Sequence, residues 1–458
     1  VTMFRPFPAD LITGMLAGKK AVTVFERCDQ PLAVDPPLLR EIRAAMTKAM
    51  ENGRVRGGNG AGLPFPGLAS VSADDVPNFY SAGFGFGSRD VQPGDIVAAA
   101  ENMLPGAAGQ RQFYLGIDFI RKGTRLPKLR IWQERLVDAY PDIGKLALES
   151  AGDFNLLPPG STAIRIHSVG GWGAITMGKN LTMTAFELFG MHVKANPKYG
   201  SEKKGQPTTF YSVISHEPIK LNAELKHVNA VLSPDGNVFL HSDPLAGMEE
   251  DGVFIIQSHE DPADVWASLP AGARRTIVEK RIRVFALDAF GIATSEASDP
   301  ELRYRMQGAA FMGAFFRCAP ILEQEGMTEA QLFEGIRKQT EKKFGHLGER
   351  VVEDNTRVIR RGWDEVVEVP TGTEVGADEA QQAAVGHIPA MMDAPDAEEG
   401  LANPGRFYEQ VCAVCAIGQD TIADPYAAVS VMPAASSSIR DMTGTVSYTH
   451  LRAHETRR

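Results

Sequence analysis

Thr162 to Ser215 reads TAIRIHSVGGWGAITMGKNLTMTAFELFGMHVKANPKYGSEKKGQPTTFYSVIS, and the reading of this stretch decides the fold. Ala163–His167 is a short strand-forming run. Gly170, Gly171 and Gly173 make a tight turn, and Met177, Leu181, Ala185 and Leu188 then recur at helical spacing. The order is strand, glycine turn, helix. Glycine has no Cβ to hold a ligand away, so such a turn lets backbone N–H groups and the positive end of a helix dipole approach a phosphate. Many strand-to-helix junctions use glycine only for packing, so the turn alone is a weak signal. It gains weight from Lys198, Lys203 and Lys204, which follow in the same stretch.

The chain has 458 residues, enough for two or three domains that each bury a core. Its formal net charge of −10 argues against general nucleic-acid binding, which demands a basic face. A lysine cluster in an acidic chain therefore carries more information than it would in a basic one. Cys28, Cys318, Cys412 and Cys415 are too few and scattered for a disulfide framework and suit a reducing cytoplasm. No apolar run is long enough to span a bilayer and no signal peptide is evident, so a cytoplasmic protein without membrane contact is expected. Both ends read as truncated. Val446–Thr456 (VSYTHLRAHET) resembles the translation of a sequencing-library adapter, so 445–458 is expected to be a non-native tail.

Two consecutive α/β domains are expected, each of three layers with a mostly parallel sheet. In the first, residues 1–150, strands at Lys20–Arg27, Phe79–Phe86 and Phe113–Ile120 alternate with helices at Leu38–Met50 and Gln92–Leu104. A proline- and glycine-rich break, Leu156–Gly160, leads into the second, residues 160–370. There the pattern gives strands at Phe210–Ile214, Val228–Leu232, Gly252–Gln257 and Arg281–Ala289. Helices follow at Glu301–Leu322 and Thr328–Phe344, with Thr328 as cap. Residues 371–444 turn acidic and rich in alanine, proline and glycine, the composition of a linker leading into a further domain. No internal repeat is present.

The stretch quoted first resembles the gamma region of the pyruvate:ferredoxin (2-oxoacid:acceptor) oxidoreductase family, in which the turn runs roughly GxGGxG. A YG-x-E/K-x-x-GG segment, a strand and S-x-x-PI follow it. The matching residues are Ser168, Gly170, Gly171 and Gly173, then Tyr199, Gly200, Glu202, Lys203, Lys204 and Gly205, then Ser215, Pro218 and Ile219. Ser168 replaces the first glycine, and its hydroxyl is expected to cap the turn. Gln206-Pro207 stands where glycine is usual, and Pro207 removes a main-chain donor. Within 1–150, FRPFP, VFERCDQP, GFGFGSRD and FYLGID fall in the order of the family's transketolase C-terminal-like domain.

The resemblance implies a fragment of an enzyme that oxidatively decarboxylates a 2-oxoacid to acyl-coenzyme A and passes electrons to ferredoxin or flavodoxin. It further implies that Gly170, Gly171, Trp172, Gly173 and Ala174, with Lys203 and Lys204, hold the nucleotide end of coenzyme A. Asn355 falls where the family places another coenzyme A contact. Thiamine diphosphate and 4Fe-4S clusters would lie in missing thiamine-binding and ferredoxin-like domains, no catalytic residue or metal ligand is expected here, and the fragment alone would be inactive. A homodimer is expected.

Residue by residue, simpler readings stand beside these. Trp172 either stacks on adenine or packs against the sheet, the lysines can line a solvated loop, and Asn355 can make a helix-terminal hydrogen bond. Cys412 and Cys415 supply two thiolates where a cluster generally needs four ligands, so they read as small buried residues. His167 and His216 lack an evident partner at a recognisable spacing and read as structural. Gly83, Gly85 and Gly87 alternate with phenylalanine, which suits a strand better than a phosphate cradle. Two other functions fit a strand, glycine turn and helix: a nicotinamide- or flavin-dependent dehydrogenase and a non-catalytic nucleotide-binding module. The dehydrogenase needs an acidic residue ending the next strand, where Gly190–Lys198 carries lysines instead.

Overall fold

The computed structural model describes residues 5–28, 33–55, 62–85, 90–107, 109–116, 145–198, 207–240, 242–297 and 303–372. They fall into two compact units that divide between Phe154 and Asn155. The expected linker at 371–444, with Cys412 and Cys415, lies outside the described residues apart from its first two positions, and so does the whole tail at 445–458.

In the first unit, β1 (Ala21–Glu26), β2 (Asn78–Gly83) and β3 (Gln112–Tyr114) form a parallel sheet in that order. Strand alternation sends Val24 and Phe79 to one face, where they meet Leu39, Ile42 and Met46 of α2 (Pro37–Val55) and the apolar side of α1 (Ala9–Leu16). Tyr80, Ala82 and Phe113 point the other way, onto Ala99 of α3 (Pro93–Glu101). Both faces are covered, which is why these strands read as continuous apolar runs.

The second unit is built on a seven-stranded sheet, β10-β9-β8-β7-β4-β6-β5. Its strands are β4 (Thr162–Val169), β5 (His192–Lys198), β6 (Pro207–Ser215), β7 (Val228–Ser233), β8 (Met248–Gln257), β9 (Arg283–Leu287) and β10 (Val367–Glu368). The α/β reading holds, and the sheet is mixed: β4, β7, β8 and β9 are mutually parallel, whereas β6 runs antiparallel to β4 and β5, and β10 to β9. Chain length explains the difference. Residues 199–206, between β5 and β6, are too few for a crossover helix, so these strands can only run antiparallel.

Ile164 and Ile166 of β4, with Phe210, Leu232, Ile255 and Phe285, face a layer of helices: α4 (Ala174–Phe189), α7 (Ala289–Glu296), α8 (Arg303–Cys318), α9 (Glu329–Phe344) and α10 (Glu349–Glu365). Ala163, Val231, Phe254 and Val284 face α5 (Pro262–Ser268) and α6 (Ala271–Glu279). The helix expected at Thr328–Phe344 is α9, and Thr328 caps it by accepting from the Gln331 N–H at 3.3 Å. Helix α10 lies beyond the helices expected from the sequence, although its buried Val352, Val358, Ile359 and Trp363 recur at helical spacing.

One close approach fixes how α4 lies on the sheet. A Cβ on Gly178 would stand 2.3 Å from the Phe210 ring, and that ring is fully buried. Gly178→Ala should therefore destabilise the protein by about 1–3 kcal/mol in chemical denaturation, because the ring has no free volume to move into. Unchanged stability would show that α4 is free to ride outward.

Candidate functional site

The chain leaves β4 at Val169 and enters α4 at Ala174, with only four residues between. Gly171 and Gly173 make this possible: their φ values of +97° and +87° belong to left-handed backbone that L side chains rarely adopt. The Trp172 N–H closes the turn onto the Val169 carbonyl at 3.0 Å, and the Met177 N–H makes the first helical bond onto Gly173 at 2.9 Å. The amides of Ala174, Ile175 and Thr176 therefore precede the first intrahelical bond, and no side chain caps them. That end carries the positive pole of a 16-residue helix.

Ser168 does not cap the turn as its sequence position suggests. Alternation along β4 puts it on the face of Ile164 and Ile166, which α4 covers, so its hydroxyl sits beside the start of the helix rather than along the turn. It is 1 % exposed and its Oγ has no hydrogen-bond partner. A buried hydroxyl left unbonded costs free energy that a ligand oxygen would recover.

Lys203 and Lys204 lie outside the described residues. The residues on either side of that segment are placed: Pro207 pairs with Val169 and Lys198 with Thr209, which itself pairs with His167. Both flanks thus stand at the end of the sheet where the glycine turn begins. On the face opposite α4, Glu224 joins them to the core, accepting from Lys198 Nζ at 3.2 Å and from the Tyr211 hydroxyl at 2.5 Å. Beneath lies Arg165, 6 % exposed and donating to the carbonyls of Pro244 at 2.7 Å and Ala246 at 2.6 Å. Burial holds its guanidinium below the usual value, against the charges of Tyr211, Asp243 and Glu224. Neither the role of Glu224 nor the depth of Arg165 is legible in the sequence, where Glu224 is a lone carboxylate in a loop and Arg165 one charge within a strand.

Asn355 is half-buried on α10 and donates its amide to the Val351 carbonyl at 2.8 Å. That helix packs chiefly on α8 and α9, and the structure gives Asn355 a local hydrogen bond. A cavity of about 640 Å³ opens nearby, between the end of α7 and the start of α10, lined by Glu296, Asp354 and Arg357 among others. Its charges satisfy one another, Arg357 binding Glu296 at 3.0 Å and also Asp354. His216, for which the sequence offers no evident partner, contacts Glu325 at 2.8 Å, a pairing across 109 residues that no spacing could reveal. Among the described residues no group of three or more His, Cys, Asp or Glu could hold a metal ion.

Residues 163–365, which contain the turn, all of α4 and the Lys198–Pro207 flanks, match the family model for pyruvate ferredoxin/flavodoxin oxidoreductase. This region belongs to that family. Among curated relatives, the pyruvate:ferredoxin oxidoreductase of Moorella thermoacetica is 20 % identical over 383 residues, covering 83 % of this chain and 28 % of its own length. The chain thus spans little more than a quarter of that relative. The pyruvate synthase subunit PorC of Methanosarcina barkeri is 29 % identical over 151 residues, 33 % of this chain and 76 % of the subunit. The common gamma subunit of the pyruvate/ketoisovalerate oxidoreductases of Thermococcus kodakarensis is 27 % identical over 167 residues, 36 % of this chain and 83 % of the subunit. In the pyruvate oxidoreductase family, then, the segment that carries the turn occurs both inside long chains and as a separate subunit.

Glu224→Gln keeps the shape of the Lys198–Glu224–Tyr211 link and removes its charge. It should lower stability by about 1–3 kcal/mol in denaturant titrations, the range for a part-buried charge-assisted hydrogen bond. A value indistinguishable from zero would show that the link does not anchor β5.

Proposed function

We propose that this chain is a piece of a 2-oxoacid:ferredoxin or flavodoxin oxidoreductase, an enzyme converting pyruvate or a related 2-oxoacid to an acyl-coenzyme A. Residues 160–370 act as its gamma-type domain and 1–150 as the transketolase C-terminal-like domain. Its own task is to scaffold the assembly, including a dimer interface, and to hold the nucleotide end of coenzyme A.

The observation that carries the reading is the junction after β4: three uncapped amides at a helix start, with an unbonded buried hydroxyl at Ser168 on the same face. Coenzyme A fits these donors because its phosphate groups are strong acceptors and anionic at neutral pH. Ala174, Ile175 and Thr176 supply N–H groups, Gly171 and Gly173 keep the approach free of side chains, and Lys203 and Lys204 add charge from a segment rooted at the same end of the sheet. Thiamine diphosphate would supply an electron sink for decarboxylation and the clusters a path for single electrons. No residue of this chain is assigned to either, so the chain alone is expected to be inactive. A nicotinamide site is disfavoured because the strand after α4 ends in Lys198, where an acidic residue would hold the ribose.

Titration calorimetry of the complete 458-residue chain should give saturable binding of coenzyme A and none of NAD. The Lys203→Ala/Lys204→Ala double variant should bind coenzyme A at least about tenfold more weakly. Unchanged affinity would remove those lysines from the site, and NAD binding in place of coenzyme A would overturn the reading.

A further inference from the structure

Helices α4 and α9 run antiparallel in contact, and their rungs are explicit. Gly335 lies against Leu188, Gln339 accepts from Thr184 Oγ1 at 2.6 Å and donates to Glu187 at 2.9 Å, and Lys343 Nζ donates to Asn180. Moving toward the start of α4 along this ladder leads to the end of α9. Lys343 and Lys179 thus meet within the first turns of the helix whose leading amides are uncapped.

These two ammonium groups differ from the lysines around them. A lysine in the last turn of a helix ordinarily answers the negative pole of that helix or a nearby carboxylate. Lys342 follows the rule and binds Glu187 at 3.2 Å. Lys343 instead turns to a neutral amide oxygen beside a second cation, and Lys179 forms no ion pair among the described residues. Partial desolvation and the repulsion of Lys179 hold the Lys343 ammonium below the usual lysine value. Two like charges held together without an anion are a destabilising arrangement that a dianion relieves.

Lys179 is three residues after Thr176, so the two share the solvent-facing stripe of α4, about 4.5 Å apart along the axis. An anion on the leading amides and another on the lysine pair would be bound by one face of one helix. Taking the coenzyme A reading above as the premise, we infer that Lys179 and Lys343 form a second anion point that receives the phosphomonoester on the ribose, while the helix start receives the pyrophosphate. A phosphomonoester carries close to two negative charges near neutral pH, which matches two ammonium groups, and lysine binds phosphate as a point charge. The pair would then select nucleotides phosphorylated on the ribose over those that are not.

Coenzyme A and dephospho-coenzyme A, which lacks only that phosphomonoester, separate the possibilities when titrated against the full chain. The unaltered protein should prefer coenzyme A. Lys179→Gln and Lys343→Gln should each weaken coenzyme A by about tenfold and leave dephospho-coenzyme A unchanged, with melting temperatures equal to or above that of the unaltered protein because repulsion is relieved. Equal weakening of both ligands, or of neither, would overturn the assignment while leaving the coenzyme A site intact. If the unaltered chain binds neither ligand, the coenzyme A reading itself fails and the lysine assignment falls with it.

Discussion

The second unit depends on a backbone constraint at one junction. With Gly171 and Gly173 in left-handed conformation, β4 stops at Val169 and α4 starts at Ala174, which leaves no length for a side-chain cap. The absence of a Cβ at Gly178 then lets α4 settle directly on Phe210 of β6. These two conditions set the height and the tilt of α4, and α8 and α9 pack against it in turn. At Gly308 the α8 backbone touches Met177, and at Gly335 the α9 backbone touches Leu188. A site made of helix amides is only as well placed as its helix, and here the helix is fixed from below and from both flanks.

Charge makes the same corner distinctive. The chain is acidic overall, yet the donors that converge at this end of the sheet are amides and ammonium groups, and Glu224 there is engaged by Lys198 and Tyr211. Local field, not net charge, decides what an anion meets on approach. The comparisons add that this segment is similar both to an internal region of a longer chain and to separate subunits.

The turn, α4 and most strands of both sheets are legible because they rest on local pattern: glycine clustering, apolar runs and a capping residue at Thr328. What stays illegible rests on distance in sequence. Asn180 meets Lys343, Glu325 meets His216, and Phe210 meets Gly178 only after the sheet has brought them together. The cap expected of Ser168 fails because the direction of its hydroxyl depends on which face of β4 it occupies. Asn355 rests on family position alone, and its own helix claims its amide. Helix α10 carries its own apolar period, Val352, Val358, Ile359 and Trp363 recurring on one face of an otherwise charged helix, whereas the covering of that face by α8 and α9 is not legible.

Amide hydrogen exchange followed by mass spectrometry, with and without coenzyme A, addresses the central idea most directly, because it reads the very N–H groups said to hold the phosphates. Exchange in the peptide covering residues 168–177 should slow on addition of coenzyme A, with a smaller response on adding dephospho-coenzyme A. Protection that appears elsewhere while Ala174, Ile175 and Thr176 exchange at an unaltered rate would contradict the account.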